Sequence, residues 1–254
     1  MKLKLCIIIC ILAAAVTIYY ISVEEYLISA GSRIVFKLLL LAVFLSSKKV
    51  QNKPIFYSFF GCLLLTDILS FFIGVIPYVL IAMELMFFIG YLLLLKDSFR
   101  QYKIRDVRNV VAIYYFFVIA INAVLMVYHL YNLYNYMEET PLIYMGQVFY
   151  NIALYLMVIN ALAYYLNSYS KKSMFFLIGS LAFVCSDILV SAYYFYDIKE
   201  DLMLIHTVLS MIGYLFFFNY FFTPEEPQMI EDEILEELRE RKAKSKLKVK
   251  PKLP

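Results

Sequence analysis

Long apolar runs, cut only by short charged segments, restrict this chain more than any other feature. The stretch from Ile55 to Gly74 is representative. It lacks the period-two alternation of a barrel strand and matches the roughly 20 residues that a helix needs to cross a bilayer. Of the 254 residues, 63% belong to the AVILMFWYC set and only 17% are charged, whereas soluble domains are roughly half apolar. Backbone groups inside a bilayer find no water and must bond within their own segment, so such runs fold as helices. The expected class is therefore all-α, a polytopic membrane protein. A soluble globular enzyme and an outer-membrane barrel are excluded, and the net charge of +3 gives no argument for nucleic acid.

Eight spans are expected, near residues 5–23, 34–46, 55–74, 77–95, 108–128, 143–166, 174–196 and 202–222, the second extending back past Ser32. The first also matches a secretory signal, with Lys2 and Lys4 ahead of an apolar stretch and Ala13-Ala14-Ala15; its removal would leave the other seven oriented as before. The termini and even-numbered loops hold 20 of the 23 Lys and Arg residues, among them Lys48, Lys49, Lys53, the group from Lys96 to Arg108, Lys171 and Lys172. The odd loops carry Glu24, Glu25, Glu138, Glu139, Asp197, Glu200 and Asp201. Positively charged loops stay inside, so both termini are expected in the cytoplasm and the protein in the cell (inner) membrane. Residues 1–222 then form one transmembrane domain, and 223–254 a charged, largely disordered cytoplasmic tail. With no Trp in the chain, Tyr19, Tyr20, Tyr57, Tyr78, Tyr102, Tyr193 and Tyr194 take the interfacial positions. Cys6, Cys10, Cys62 and Cys185 lie in apolar runs without a CxxC, which indicates neither a disulfide framework nor a zinc cluster.

Thr66-Asp67-Ile68-Leu69 in the third span is echoed by Ser186-Asp187-Ile188-Leu189 in the seventh. A parallel four-plus-four duplication would produce this. The following span in each half adds a titratable residue, Glu84 and His206.

A charged side chain at the bilayer centre costs at least about 2.5 to 3.5 kcal/mol, so each one kept there is a candidate site. Lys37, Asp67, Glu84, Asp187 and His206 qualify. At 1.5 Å per residue, Asp67 and Asp187 both stand about 18–20 Å from the cytoplasmic ends of their spans. Lys37, Glu84, His206, Gln147 and Asn151 fall in the same outer half, which suggests one polar cavity. Asn122, Asn160 and Asn219 read better as interhelical hydrogen-bonding groups. Two His residues without HExxH offer no ligand set for an intramembrane zinc hydrolase. GxSxG, P-loop and GxGxxG patterns are all missing. Carboxylate chemistry, proton movement or binding remain, with no metal or cofactor expected.

The eight spans, the short second span bearing Lys37, the G-x5-D spacing of Gly61 to Asp67 with Leu64 and Leu65, and the later Gly179, Phe183 and Ser186-Asp187 resemble the YhhN family, over roughly residues 5–222. Thr66 stands where that family has Gly, Leu38 where it has Pro, and Glu84 at best where it has His. The family includes lysoplasmalogenases, integral-membrane hydrolases that cleave the vinyl ether of lysoplasmalogens. The resemblance thus implies a lysophospholipid substrate within membrane lipid and an Asp67/Asp187 acid/base pair, with Lys37, Glu84, His206, Asn151, Ser186 and Thr66 binding or supporting. Lys37 would hold a carboxylate or meet the substrate phosphate. Protonation of the vinyl β-carbon gives an oxocarbenium ion that water attacks, as paired carboxylates manage in glycosidases. The rival reading is a proton-coupled carrier or lipid-binding protein using the same carboxylates.

Overall fold

A computed structural model describes residues 2–23, 25–47, 50–76, 78–100, 109–137, 140–168, 170–196 and 201–224. Glu24, Lys48, Lys49, Tyr102, Lys103, Arg105, Arg108, Glu138, Glu139, Asp197, Lys199, Glu200 and the tail after Pro224 lie outside the described residues, as do the side chains of Cys6, Cys10, Ser191, Tyr194 and Asp201. The described chain forms eight helices and no strand: α1 (Lys2–Ser22), α2 (Tyr26–Ser47), α3 (Lys53–Ser70), α4 (Val79–Phe99), α5 (Asn109–Tyr136), α6 (Pro141–Ser168), α7 (Lys171–Tyr196) and α8 (Asp201–Phe222). Seven of these, α2 to α8, are long and apolar enough to cross a membrane. In α1 the apolar segment found among the described residues is the shorter Ile11–Ile21. The chain is a multi-pass all-α membrane protein.

The second helix does extend back past Ser32, starting at Tyr26. The third is shorter than the hydropathy of 55–74 suggests. Pro54 sits in its first turn, where a missing N–H costs nothing. It ends at Ser70, and Phe71 to Ile76 form turns. Gly74 at φ 83° and Tyr78 at φ 63° are the positive-φ residues there; the first reverses the chain without a Cβ penalty, the second at some steric cost. Asp67 therefore lies one turn from a helix end, and Gly74 belongs to the turn rather than to the helical face below it.

Neighbouring helices close into a ring. The contacts run α2 to α3, α3 to α4, α4 to α6, α6 to α7, α7 to α8 and α8 back to α2, with α1 on α2 and α8 and α5 on α6. Shifting every label by four maps nearly all of these pairings onto one another: α3 with α4 becomes α7 with α8, and α4 with α6 becomes α8 with α2. The arrangement is what a four-plus-four repeat would build, and it sets Asp67 on α3 and Asp187 on α7 at equivalent places in the ring.

The two ends of the ring differ in chemistry. Toward the α3 N-terminus it is filled by aromatic rings: Phe56, Phe59 and Phe60 of α3 meet Phe217, Phe218, Phe221 and Phe222 of α8, and Phe44 of α2 joins Phe218 and Phe222. Lipid tails are as apolar as these side chains, so their association rests on close packing rather than on escape from water. Edge-to-face ring pairs add about 0.5–1.5 kcal/mol each. At the same end Asp97 of α4 accepts hydrogen bonds from Asn52 Nδ2 and from Tyr220 Oη (2.8 Å), and Asn160 of α6 donates to Ser98. These polar groups tie α3, α4, α6 and α8 together, and the expectation for Asn160 agrees with this bond. Asn122 and Asn219 instead donate back to their own helices, to Val118 O and Leu215 O.

Candidate functional site

At the opposite end the ring encloses a cavity of about 200 Å³. Six helices contribute to it: α2 through Arg33 and Lys37, α3 through Thr66, Asp67 and Ser70, α4 through Phe87 and Tyr91, α6 through Tyr150, α7 through Ser186 and Asp187, and α8 through His206, Ser210 and Tyr214. The helical repeat explains these sets. Arg33 and Lys37 are four apart on α2, Thr66 and Ser70 four apart on α3, and His206, Ser210 and Tyr214 recur every four on α8, so each group shares one face.

The two carboxylates have different surroundings. Asp67 is buried between two cations, with Lys37 Nζ 2.7 Å from Oδ2 and Arg33 Nε 3.9 Å from Oδ1. Lys37, at 1% exposure, also donates to Leu63 O at 3.4 Å and lies 4.2 Å from the centre of the Tyr214 ring. A buried ammonium is tolerable only with such a set of partners. Asp187 meets a phenol instead: Tyr150 donates its hydroxyl hydrogen to Oδ2, and Tyr91 Oη stands 3.4 Å from Tyr150 Oη. Among the described residues no Lys or Arg forms an ion pair with Asp187. One cavity therefore holds an ion-paired carboxylate and one held by hydrogen bonding alone.

Ser186 and His206 close the α7–α8 side. Ser186 Oγ is 2.6 Å from His206 Nδ1 and 2.7 Å from Ser210 Oγ, and also donates to His206 O at 3.2 Å. Close approach of the two helices makes this possible: a Cβ on Gly213 would lie 2.8 Å from the Phe183 ring. Thr66 faces the cavity while its hydroxyl donates to Cys62 O at 2.9 Å.

Of the sequence candidates, Lys37, Thr66, Asp67, Ser186, Asp187 and His206 line the cavity, whereas Glu84 and Asn151 do not. Glu84 points from α4 into α6, where Gln147 Nε2 donates to Oε1 at 2.6 Å and Gly146 leaves room for the second oxygen. Asn151 donates to Gln147 O at 2.8 Å, one turn earlier on α6. Ser70 and Ser210, which helical spacing puts on the faces of Asp67 and His206, line the cavity too, and so do Arg33, Tyr91, Tyr150 and Tyr214, which were not site candidates. The three tyrosines fall inside apolar spans with no charge to mark them, and Arg33 reads as a loop charge. Only its spacing of four from Lys37 could have flagged it.

No family model, curated protein or solved structure matches this chain. What the fold and the site define is a multi-pass helical membrane protein whose six-helix ring holds paired carboxylates, two cations, a Ser–His contact and a tyrosine pair in one cavity.

Proposed function

We propose that this protein is an integral-membrane hydrolase of lysoplasmalogen-type lysophospholipids, as the likeness to the YhhN family implies, oriented with both termini in the cytoplasm of the inner membrane. The observation that carries the reading is that Asp67 and Asp187, on different helices, line one cavity in two contrasting environments. General acid and general base need such a difference. Asp67 is the anion, fixed by Lys37 and Arg33. Asp187, which no Lys or Arg pairs with among the described residues, carries the proton, because an unpaired buried charge costs several kcal/mol. It protonates the vinyl β-carbon; Asp67 faces the oxocarbenium and takes a proton from the attacking water; the hemiacetal collapses to a fatty aldehyde and a glycerophospho-alcohol. Tyr150 holds Asp187 in place. No cofactor is called for by this chemistry.

The cavity size agrees. At roughly 30 Å³ per water, 200 Å³ holds the glycerol and ether portion of a lipid but not its chain, which must leave toward the bilayer. Beyond Ser70, Phe72, Ile73, Val75 and Ile76 are exposed, an apolar lip suited to an amphiphile. The aromatic filling of the far end weighs against a carrier, which needs a second access route.

The deciding experiment is product analysis: purified protein with an alkenyl lysolipid, read as free aldehyde. Asp67→Asn and Asp187→Asn should each lower turnover by about 10² to 10⁴, and the double variant should be little worse than either single one. Undiminished aldehyde release by the folded double variant would overturn the assignment of roles. No release by the wild type would overturn the reaction.

A further inference from the structure

Resting on that reading, the charge inventory of the cavity goes one step further. Its cations are Arg33 and Lys37, and its carboxyls are Asp67 and Asp187. Lys37 is consumed by Asp67 at 2.7 Å. With the proton on Asp187, one positive charge is left over, and it belongs to Arg33. Its guanidinium has five N–H donors. Among the described residues it makes one long hydrogen bond, Nη2 to Ser70 Oγ at 3.5 Å, and one loose ion pair, Nε to Asp67 Oδ1 at 3.9 Å, so its buried Nε has no hydrogen-bond partner. The side chain is 33% exposed, so it lies where the cavity opens rather than at its floor. The Lys of the pair is fully occupied; the Arg is not.

We propose that Arg33 is the receptor for the phosphodiester of the lipid substrate, with Ser70 as a second donor, and thereby selects lysophospholipids over neutral glycerol ethers. Forked guanidinium donors match two phosphate oxygens at once, and a phosphodiester carries the single negative charge that the cavity lacks. The spacing is also right. Arg33 and Lys37 are four residues apart on α2, a rise of about 6 Å. Between the phosphorus and the ether oxygen at the far glycerol carbon lie five bonds, which span about 6 Å when extended at ordinary bond lengths of roughly 1.5 Å. A phosphate on Arg33 thus sets the ether at the level of Lys37 and its partner Asp67. Ser70 can serve because its own hydroxyl hydrogen goes to Asp67 O at 2.6 Å, and it rotates to a better acceptor when one arrives.

The test uses the full-length protein in detergent and two probes of equal chain length with saturated ethers, which this chemistry does not cleave: a 1-O-alkyl lysophosphoethanolamine and a 1-O-alkylglycerol. The wild type is expected to bind the phosphodiester at least tenfold more tightly, and R33Q to bring that ratio within threefold of one. If R33Q fails to fold, R33K replaces it; its ammonium cannot form the forked contact, and the ratio should fall at least threefold. Soluble glycerophosphoethanolamine, at the concentration of the lipid probe, should not displace it. A wild-type ratio near one, or an unchanged ratio in the folded variant, overturns the proposal. Displacement by the soluble headgroup at equal affinity overturns the lipid as its source. Because both probes are uncleaved, the result stands apart from whether aldehyde is released.

Discussion

Replacing Lys37 by Met tests the ion pair at the centre of the site. Methionine keeps most of the buried volume and the packing against Tyr214 but removes the charge 2.7 Å from Asp67. Taking one partner from a buried pair costs about 3–5 kcal/mol, because the remaining charge stays in an apolar surround. Arg33, already 3.9 Å from the other oxygen, can move in and offset part of this, which puts the expected cost near the lower end, about 3 kcal/mol. For a domain of this size each kcal/mol moves the midpoint by about 2–4 °C, so Lys37→Met should lower Tm by about 6–12 °C. Heating the detergent-solubilised protein and measuring the folded fraction by size-exclusion chromatography reads this directly. Adding Asp67→Asn in the same chain removes the stranded charge, and the double variant should recover to within about 4 °C of wild type, since neutral replacements of a buried pair are often tolerated. A loss under about 3 °C for Lys37→Met, or a double variant less stable than the single, would refute the reasoning.

Gly213→Ala places a methyl 2.8 Å from the Phe183 ring; overpacking of this kind costs about 1–3 kcal/mol, and since Phe183 lines the cavity, turnover should fall along with Tm. Asp97→Asn keeps one acceptor oxygen where Asn52 and Tyr220 use two; a lost buried bond costs about 1–3 kcal/mol, so Tm should drop while the affinity for the saturated-ether probe holds. Tyr150→Phe deletes the hydrogen bond to Asp187 and should cut aldehyde release about tenfold, at roughly 1.4 kcal/mol per factor of ten; an unaffected rate would remove Tyr150 from the site. Single cysteines at Glu138 and Lys171 should react with impermeant reagents from opposite faces of the membrane, and labelling of both from one face would refute the topology.

Sequence by itself determined the helices, because span length follows from bilayer thickness and an apolar run needs no tertiary information to be recognised. It also determined that Asp67, Asp187, Lys37 and His206 required an explanation, since ionisable groups are costly in hydrocarbon wherever they point. The paired TDIL and SDIL segments anticipated the repeated pairing of helices around the ring. Direction and partnership lay beyond it. Glu84 had the same local credentials as Asp67 but turns into the α4–α6 contact, where Gln147 and the bare backbone of Gly146 receive it. Arg33 reads as a loop charge, and Tyr91 and Tyr150 carry no charge to mark them within their spans; only the closing of the ring puts all three at the cavity. The end of α3 at Ser70 was invisible to hydropathy, which scores Phe71 to Gly74 as membrane whether helical or not. Which carboxylate is ion-paired and which meets a phenol depends on which of six helices abut, and a helix contributes only one residue in about four to any such meeting. Composition constrains each helix separately, whereas the site exists only between them.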